Sequence, residues 1–336
     1  MGNPKITVLM PVYNGAQFLK EAIESILNQT FKDYELLIID DGSSDNSRSI
    51  ILSYHDERIR YVKNRKNIGL IGTLNKGINL AAGLYIARMD QDDVSKPYRL
   101  ETQFRFMEKN KEVGLCGSWY EIIGSRQIIK VPVNHELIDV SLIENSCFGH
   151  PTVIIRRSVL LGDNIYYPDC SDAEDYAMWS RLSGITKLAN IPEVLLEYRI
   201  HPSQISSSRK ESQLNSANAV RLNHLSKLRE LSAEEKSLYK DLFEKSSFTE
   251  DEILLYHGFF ISLLMKNRDS KVFDTKYFQR FILNIWKRLF LSYLSSNKES
   301  IFLKFSFLFS FRLSYKLIIS FDFIKTVYAF LKKKIL

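Results

Sequence analysis

The chain has 336 residues, 45% hydrophobic and 25% charged, the balance of a folded protein with room for a full α/β core and a second, smaller unit. Three widely spaced cysteines, Cys116, Cys147 and Cys170, argue against a disulfide framework or a zinc site and fit a reducing cytosol. The net charge of +7 is uneven: residues 271–336 carry +10, from 13 Lys and Arg against Asp274, Glu299 and Asp322, which leaves −3 on the first 270 residues.

The sequence opens without a signal-peptide pattern and runs almost at once into an apolar strand, Ile6–Met10. The longest stretch free of Asp, Glu, Lys and Arg, Ile6–Leu19, holds Pro, Asn, Gly and Gln, so nothing approaches the roughly 20 apolar residues of a spanning helix. Residues 16–29 place Phe18, Leu19, Ala22, Ile23, Ile26 and Leu27 at helical spacing. A second strand is expected over Tyr34–Ile39, then the turn Asp40-Asp41-Gly42-Ser43 and a helix capped by Ser44 or Asp45 that reaches about Tyr54. Ile59–Val62 reads as a strand, Ile71–Ala82 as a helix, Leu84–Met89 as a strand and Tyr98–Asn110 as a helix. Such alternation predicts a mostly parallel α/β sheet with helices on both faces. Signals from Val113 to Tyr198 are shorter and mixed, those from Glu211 onward are helical, and Ser206-Ser207-Ser208 suggests a hinge. The expected division is therefore 1–208, a catalytic region, and 209–336, a helical region rich in basic and aromatic residues.

The strand Leu84–Met89 ends in Asp90-Gln91-Asp92-Asp93, three carboxylates in four residues. Packed like charges repel, and a hard divalent ion such as Mg²⁺ or Mn²⁺ relieves the repulsion. The plainer alternative is an acidic turn capping the helix that starts near Pro97. Other polar groups follow the earlier strands: Pro11-Val12-Tyr13-Asn14, Asp40 and Asp41, Arg65 to Gly69 with Asn67, and Arg88. Strand ends of a parallel sheet share one edge, where α/β proteins bind ligands. There Asp41 can accept from the imide N–H of a uracil, Asp90 from ribose hydroxyls, and a metal on Asp92 would hold a diphosphate. No G-x-G-x-x-G follows the first strand, and Gly72–Gly77 lacks the Gly-Lys-Ser/Thr ending of a phosphate loop.

Taken in order, these motifs resemble those of glycosyltransferase family 2. The resemblance continues through Phe148-Gly149-His150-Pro151-Thr152, Ala173–Leu182 and Tyr198-Arg199-Ile200-His201, and covers roughly residues 4–208. It implies the A-type glycosyltransferase fold and a metal-dependent, inverting transfer from a nucleotide-diphosphate sugar, usually a UDP-sugar, to a hydroxyl. Inversion needs one positioned base, for which the resemblance offers Asp175, with Glu174 in support. His201 would complete the metal shell or touch the diphosphate, His150 would lie in the acceptor or sugar pocket, and Arg181 would hold Glu174 or Asp175 or reach the acceptor. Trp179 and Met178 read as core.

Residues 209–336 match no motif, and residues 271–336 hold 17 of the 41 aromatic residues. Phe278, Phe281, Ile282, Ile285, Leu289 and Tyr293 share one helical face, whereas Phe305, Phe307, Phe309 and Phe311 alternate like a strand. The region reads either as a buried helical subdomain or as a basic amphipathic surface, with Lys332-Lys333-Lys334, lying on an anionic membrane. Nucleic-acid binding has no recognisable module behind it. The expectation is a glycosyltransferase of cell-surface polysaccharide assembly, peripheral on the cytoplasmic membrane, taking a saccharide or lipid-linked acceptor. A sugar-1-phosphate nucleotidyltransferase and a non-catalytic sugar-nucleotide or membrane-binding module are the alternatives.

Overall fold

The computed structural model describes residues 3–170, 172–202 and 210–296. The chain divides into two compact units, Met1–His224 and Leu225–Leu336. The division thus falls 16 residues beyond the expected 208, because the helix Lys210–Leu225 carries His224 and Arg221, which bond into the first unit.

The first unit is built on nine strands. Strands β1 (Ile6–Val12), β2 (Tyr34–Asp40), β3 (Ile59–Lys63) and β4 (Tyr85–Arg88) alternate with helices α1 (Leu19–Leu27), α2 (Ser47–Leu52) and α3 (Gly69–Leu80). There follow β5 (Val94–Ser95), α4 (Arg99–Lys109), β6 (Val113–Ile122), β7 (Ile128–Ile129), α5 (His135–Ser141), β8 (Ile154–Arg156), α6 (Arg157–Gly162), α7 (Glu174–Leu182), β9 (Lys187–Tyr198) and α8 (Lys210–Leu225). The sheet order is β3-β2-β1-β4-β8-β6-β9-β5, with β7 on β6. The long ladders β1/β2, β1/β4, β2/β3 and β6/β9 are parallel, and the antiparallel pairings are short.

Every residue of β1 is buried, as a strand covered on both faces requires. Its alternate residues Ile6, Val8, Met10 and Val12 enter one core layer, which also holds Leu19, Ala22, Ile23 and Ile26 of α1, while Leu9 enters the other with Leu74 and Ile78 of α3. The cap of α2 is Asn46 rather than Ser44 or Asp45, although Asp45 still accepts from Ser47 N at 3.0 Å.

Strand direction decides what shares an edge. β1 to β4 run together; β8 opposes β4 and β6 opposes β8, so β6 and its parallel partner β9 point the same way as β4. The carboxyl ends of β1, β2, β3, β4, β6 and β9 therefore lie along one edge, beside the start of β8.

The second unit is helical, with α9 (Ala233–Glu244), α10 (Glu250–Ser270) and α11 (Thr275–Ser296). Ser232 with Glu235 and Thr249 with Glu252 form reciprocal capping boxes at α9 and α10. The aromatic face of α11 is buried: Phe278, Phe281, Ile282, Ile285, Trp286, Leu289 and Tyr293 are core, and Phe273 stacks on Phe278 at 5.4 Å. Those rings pack inside the unit, as the buried-subdomain alternative expects of this face. Phe305 to Phe311 and Lys332 to Lys334 lie outside the described residues, as does Ser206-Ser207-Ser208. Among the described residues no helix is long and apolar enough to cross a membrane.

Candidate active site

The loop after β1 and the loop after β2 are stitched together. Asn14, at φ 49°, accepts Ser44 N through Oδ1 at 2.9 Å and donates its own N–H to Ser43 Oγ at 3.0 Å. Pro11 and Val12 are buried within β1, and Tyr13 is 49% exposed at its end. Gln91 accepts from Tyr13 N at 2.9 Å and donates to Tyr13 O at 3.2 Å, so the β1 end also fixes the acidic loop.

Asp40 is committed to structure. Its two oxygens accept from Ser43 N at 2.8 Å and Tyr61 Oη at 2.9 Å. Asp41 organises the loop after β3: Asn64 Nδ2, Ile68 N and Gly69 N donate to it at 2.7, 2.9 and 2.9 Å. A carboxylate has about four acceptor positions, so one remains for a ligand. Gly42, next after Asp41, has φ +77°, and a Cβ there would come within 3.0 Å of Asn67 N. Gly69 N is shared with Asn67 Oδ1 at 2.9 Å, while Arg65 and Asn67 are exposed.

After β4, Asp90, Asp92 and Asp93 present carboxylate oxygens that all lie within 4.8 Å of one another. Arg88, only 4% exposed, pairs with Asp90. Burial pushes the Asp90 carboxyl up, with Arg88 opposing the shift, and burial with the charges of Asp90 and Asp92 pushes Asp93 up further. Asp93 is fully buried; Oδ1 accepts from Arg199 N at 2.8 Å, and Oδ2 has no hydrogen-bond partner among the described residues. The segment after β9 closes over this loop. Arg199 Nε donates to Asp92 O at 2.8 Å, its guanidinium lies 4.5 Å from the Phe18 ring centre, and His201 Nε2 is 2.9 Å from Asp92 Oδ2. Clustered carboxylates with a buried, unpartnered oxygen are the hard-oxygen donor set that a divalent ion takes, so the residues fit Mn²⁺ or Mg²⁺. The acidic turn does not cap α4, whose cap is Tyr98.

Glu174 and Asp175 form the first turn of α7. Asp175 Oδ1 accepts from Tyr176 N at 2.6 Å. Burial pushes Asp175 up against the pull of that N–H and of Arg88, and burial with the Asp175 charge pushes Glu174 up to about 7. Behind them Trp179, fully buried with Met178, packs against His150 and Tyr167. His150 Nε2 is 2.9 Å from Tyr167 Oη, and burial, reinforced by Arg88, holds the imidazole neutral. Asn75 of α3 fixes Tyr167 by bonding its N–H at 2.8 Å and its carbonyl at 3.0 Å.

The structure therefore gathers Asp90, Asp92 and His201 in one contact network and links Arg88 to it. Arg181 is the exception. It is exposed in the last turn of α7 and makes no ion pair with Glu174 or Asp175 among the described residues, being about 10 Å along the axis from them. Sequence reasoning gave no role to Asp93, Gln91, Tyr120 or Tyr167. Only the Asp93 signal was visible, as the third carboxylate of the run; the others depend on partners distant in sequence.

Residues 7–162 match the profile described as Glycosyl transferase family 2. An uncharacterized glycosyltransferase of Haemophilus influenzae is 35% identical over 233 residues, 65% of this chain and 72% of that protein. The Escherichia coli protein WfgD, named as a UDP-Glc:alpha-D-GlcNAc-diphosphoundecaprenol beta-1,3-glucosyltransferase, is 32% identical over 207 residues, 61% of this chain and 80% of that protein. In fold, the chain is similar to Staphylococcus aureus TarS 1–349 solved with UDP-GlcNAc, at TM-score 0.59 and 16% identity over 88% of this chain and 93% of that one.

Proposed function

The chain belongs to glycosyltransferase family 2, and we propose that it moves a hexose or N-acetylhexosamine from a UDP-sugar, with inversion, to a hydroxyl of a saccharide or lipid-linked acceptor in cell-surface polysaccharide assembly. Membership makes it a glycosyltransferase rather than a nucleotidyltransferase. The observation that carries the finer reading is a pair of separate acidic groups, Asp90-Asp92-Asp93 after β4 and Glu174-Asp175 at the start of α7, both within reach of the Arg88 charge and with different surroundings.

Inverting transfer is an in-line displacement at the anomeric carbon. Asp92 and His201 are the proposed ligands of Mn²⁺ or Mg²⁺, with Asp90 toward the ribose and Asp93 holding the loop through Arg199. Such an ion, when bound, neutralises charge developing on the leaving diphosphate. Asp41 offers its remaining acceptor position to the uracil imide, and Tyr13, Asn14, Arg65, Asn67 and Gly69 border that pocket. Asp175 takes the proton of the acceptor hydroxyl, and Glu174 supports it. WfgD, by its name, uses UDP-glucose and a lipid diphosphate, which supports a UDP-sugar donor and a lipid-linked acceptor here. The +10 balance of residues 271–336 supports a peripheral place at the anionic cytoplasmic membrane face. There the eight Lys and Arg of residues 297–336 serve, together with the exposed Lys271, Lys276, Arg280 and Arg288, rather than the buried rings of α11.

The test is a donor screen in Mn²⁺ or Mg²⁺ that follows nucleoside diphosphate release and, in transfer products, the anomeric configuration by NMR. Release from a UDP-sugar that stops on chelation, with inverted product, is the expected result. Release indifferent to chelator, or retained configuration, contradicts it.

A further inference from the structure

Two tyrosines occupy the gap between the acidic groups. Tyr120, near the carboxyl end of β6, has its ring 5.6 Å from that of Tyr198, the last residue of β9, tilted by 55°. Tyr198 leads into Arg199, whose N–H and Nε bond Asp93 and the Asp92 carbonyl. On the other flank, a Cβ on Gly149 would come within 2.8 Å of Tyr120 Cε1, so only glycine lets the ring lie against that backbone. Gly149 leads into His150, whose ring meets Trp179 of α7, the helix that opens with Glu174 and Asp175. Tyr120 is thus linked by contact to the Asp92 loop through one neighbour and to α7 through another.

Both side chains are half-buried, and neither hydroxyl has a hydrogen-bond partner among the described residues. Neither hydroxyl is shut away from solvent, so each is open to a ligand while its ring is held in place. Burial and then the charges of Asp93 and Asp175 push the Tyr120 hydroxyl up, and burial and the three Asp residues do the same for Tyr198, so both stay protonated donors. A saccharide matches this pair: its C–H face packs on an aromatic ring and its hydroxyls accept from phenols.

We propose that Tyr120 and Tyr198 form the platform that seats the acceptor sugar between the metal-side carboxylates and the base, an inference that rests on the glycosyltransfer reading above. Tyr198 opens the Tyr198-Arg199-Ile200-His201 motif, whereas Tyr120 is marked by its contacts alone. The test uses full-length protein and a panel of undecyl-diphosphate-linked glucose, galactose, N-acetylglucosamine and N-acetylgalactosamine as acceptors. Acceptor KM and kcat are measured for Tyr120→Ala, Tyr120→Phe and Tyr198→Phe, and UDP affinity by calorimetry. Loss of the Tyr120 ring is expected to raise acceptor KM about tenfold and loss of either hydroxyl about threefold, with UDP affinity kept. Acceptor KM within about twofold of the parent in all three variants, with UDP still bound, overturns the platform. If Tyr120→Ala loses UDP affinity through misfolding, the two Phe variants decide. A parent that binds UDP but uses no panel sugar defeats the saccharide-acceptor reading itself, and the platform with it.

Discussion

Asp175 and Glu174 are adjacent, yet their surroundings differ: Asp175 is held by the Tyr176 N–H, whereas Glu174 is pushed to about 7 by burial and by Asp175. Asp175→Asn preserves size and removes the proposed base, so turnover should fall about 10²–10⁴-fold with UDP affinity little changed. Near-parent turnover would move the role to Glu174. For Glu174 the sign of the pH effect follows from the raised value. Its stabilising contribution is complete below the unfolded value near 4.5 and is lost as pH rises through about 7. Glu174→Gln should therefore melt higher than the parent at about pH 8 and nearly level with it at about pH 4. Asp175, Arg88 and Asp172 are the charged groups that set this value, and a melting difference independent of pH would refute it. At this scale the acidic run and the Glu-Asp pair were legible because they are contiguous. Asp41 was half legible: its three N–H partners come from a loop about 25 residues away, invisible to local spacing.

Among elements, β1 to β4 and α1 to α4 could be read from alternating hydrophobic periods, with ends shifted by at most three residues, whereas the two-residue β5 could not. β6 and β9 could not, although they are the longest strands. Gly114 and Gly117 interrupt β6, Pro192 interrupts β9, and their ladder shifts register between Val113 and Leu115 and again between Ser118 and Tyr120. Irregular pairing erases the two-residue period on which strand recognition depends. The compact unit runs past 208 to His224, since α8 is tied in by polar contacts that local spacing does not show. Fully buried His224 bridges Ser180 Oγ at 2.7 Å and the Asp139 carbonyl at 2.8 Å, which joins α8 to α7 and α5. His224→Ala strips partners from two buried groups and should cost about 1–3 kcal/mol in urea unfolding. An unchanged midpoint would show that α8 is held by packing alone.

For the whole molecule, the family and the tail were legible to different depths. Ordered motifs carried the first; composition alone described the second, and composition did not reveal that the rings of α11 are core. Truncation should therefore follow Ser296, sparing α11, rather than begin at Phe273. Residues 297–336 hold eight Lys and Arg against two acids. At ~1 kcal/mol for each basic residue near an anionic surface, the full chain should float with anionic vesicles at low salt and the truncation far less. Screening over a Debye length of ~8 Å should weaken that binding at physiological salt. Indifference of the full chain to anionic vesicles would remove the membrane reading and leave the glycosyltransferase untouched. The central claim, that the carboxylates after β4 hold a metal and through it a nucleotide diphosphate, is tested most directly by calorimetric titration of UDP into the parent and Asp92→Asn, each with and without Mn²⁺. The parent should bind UDP more tightly with Mn²⁺, and Asp92→Asn should lose that gain. Equal affinity of the two proteins in both conditions would contradict the assignment.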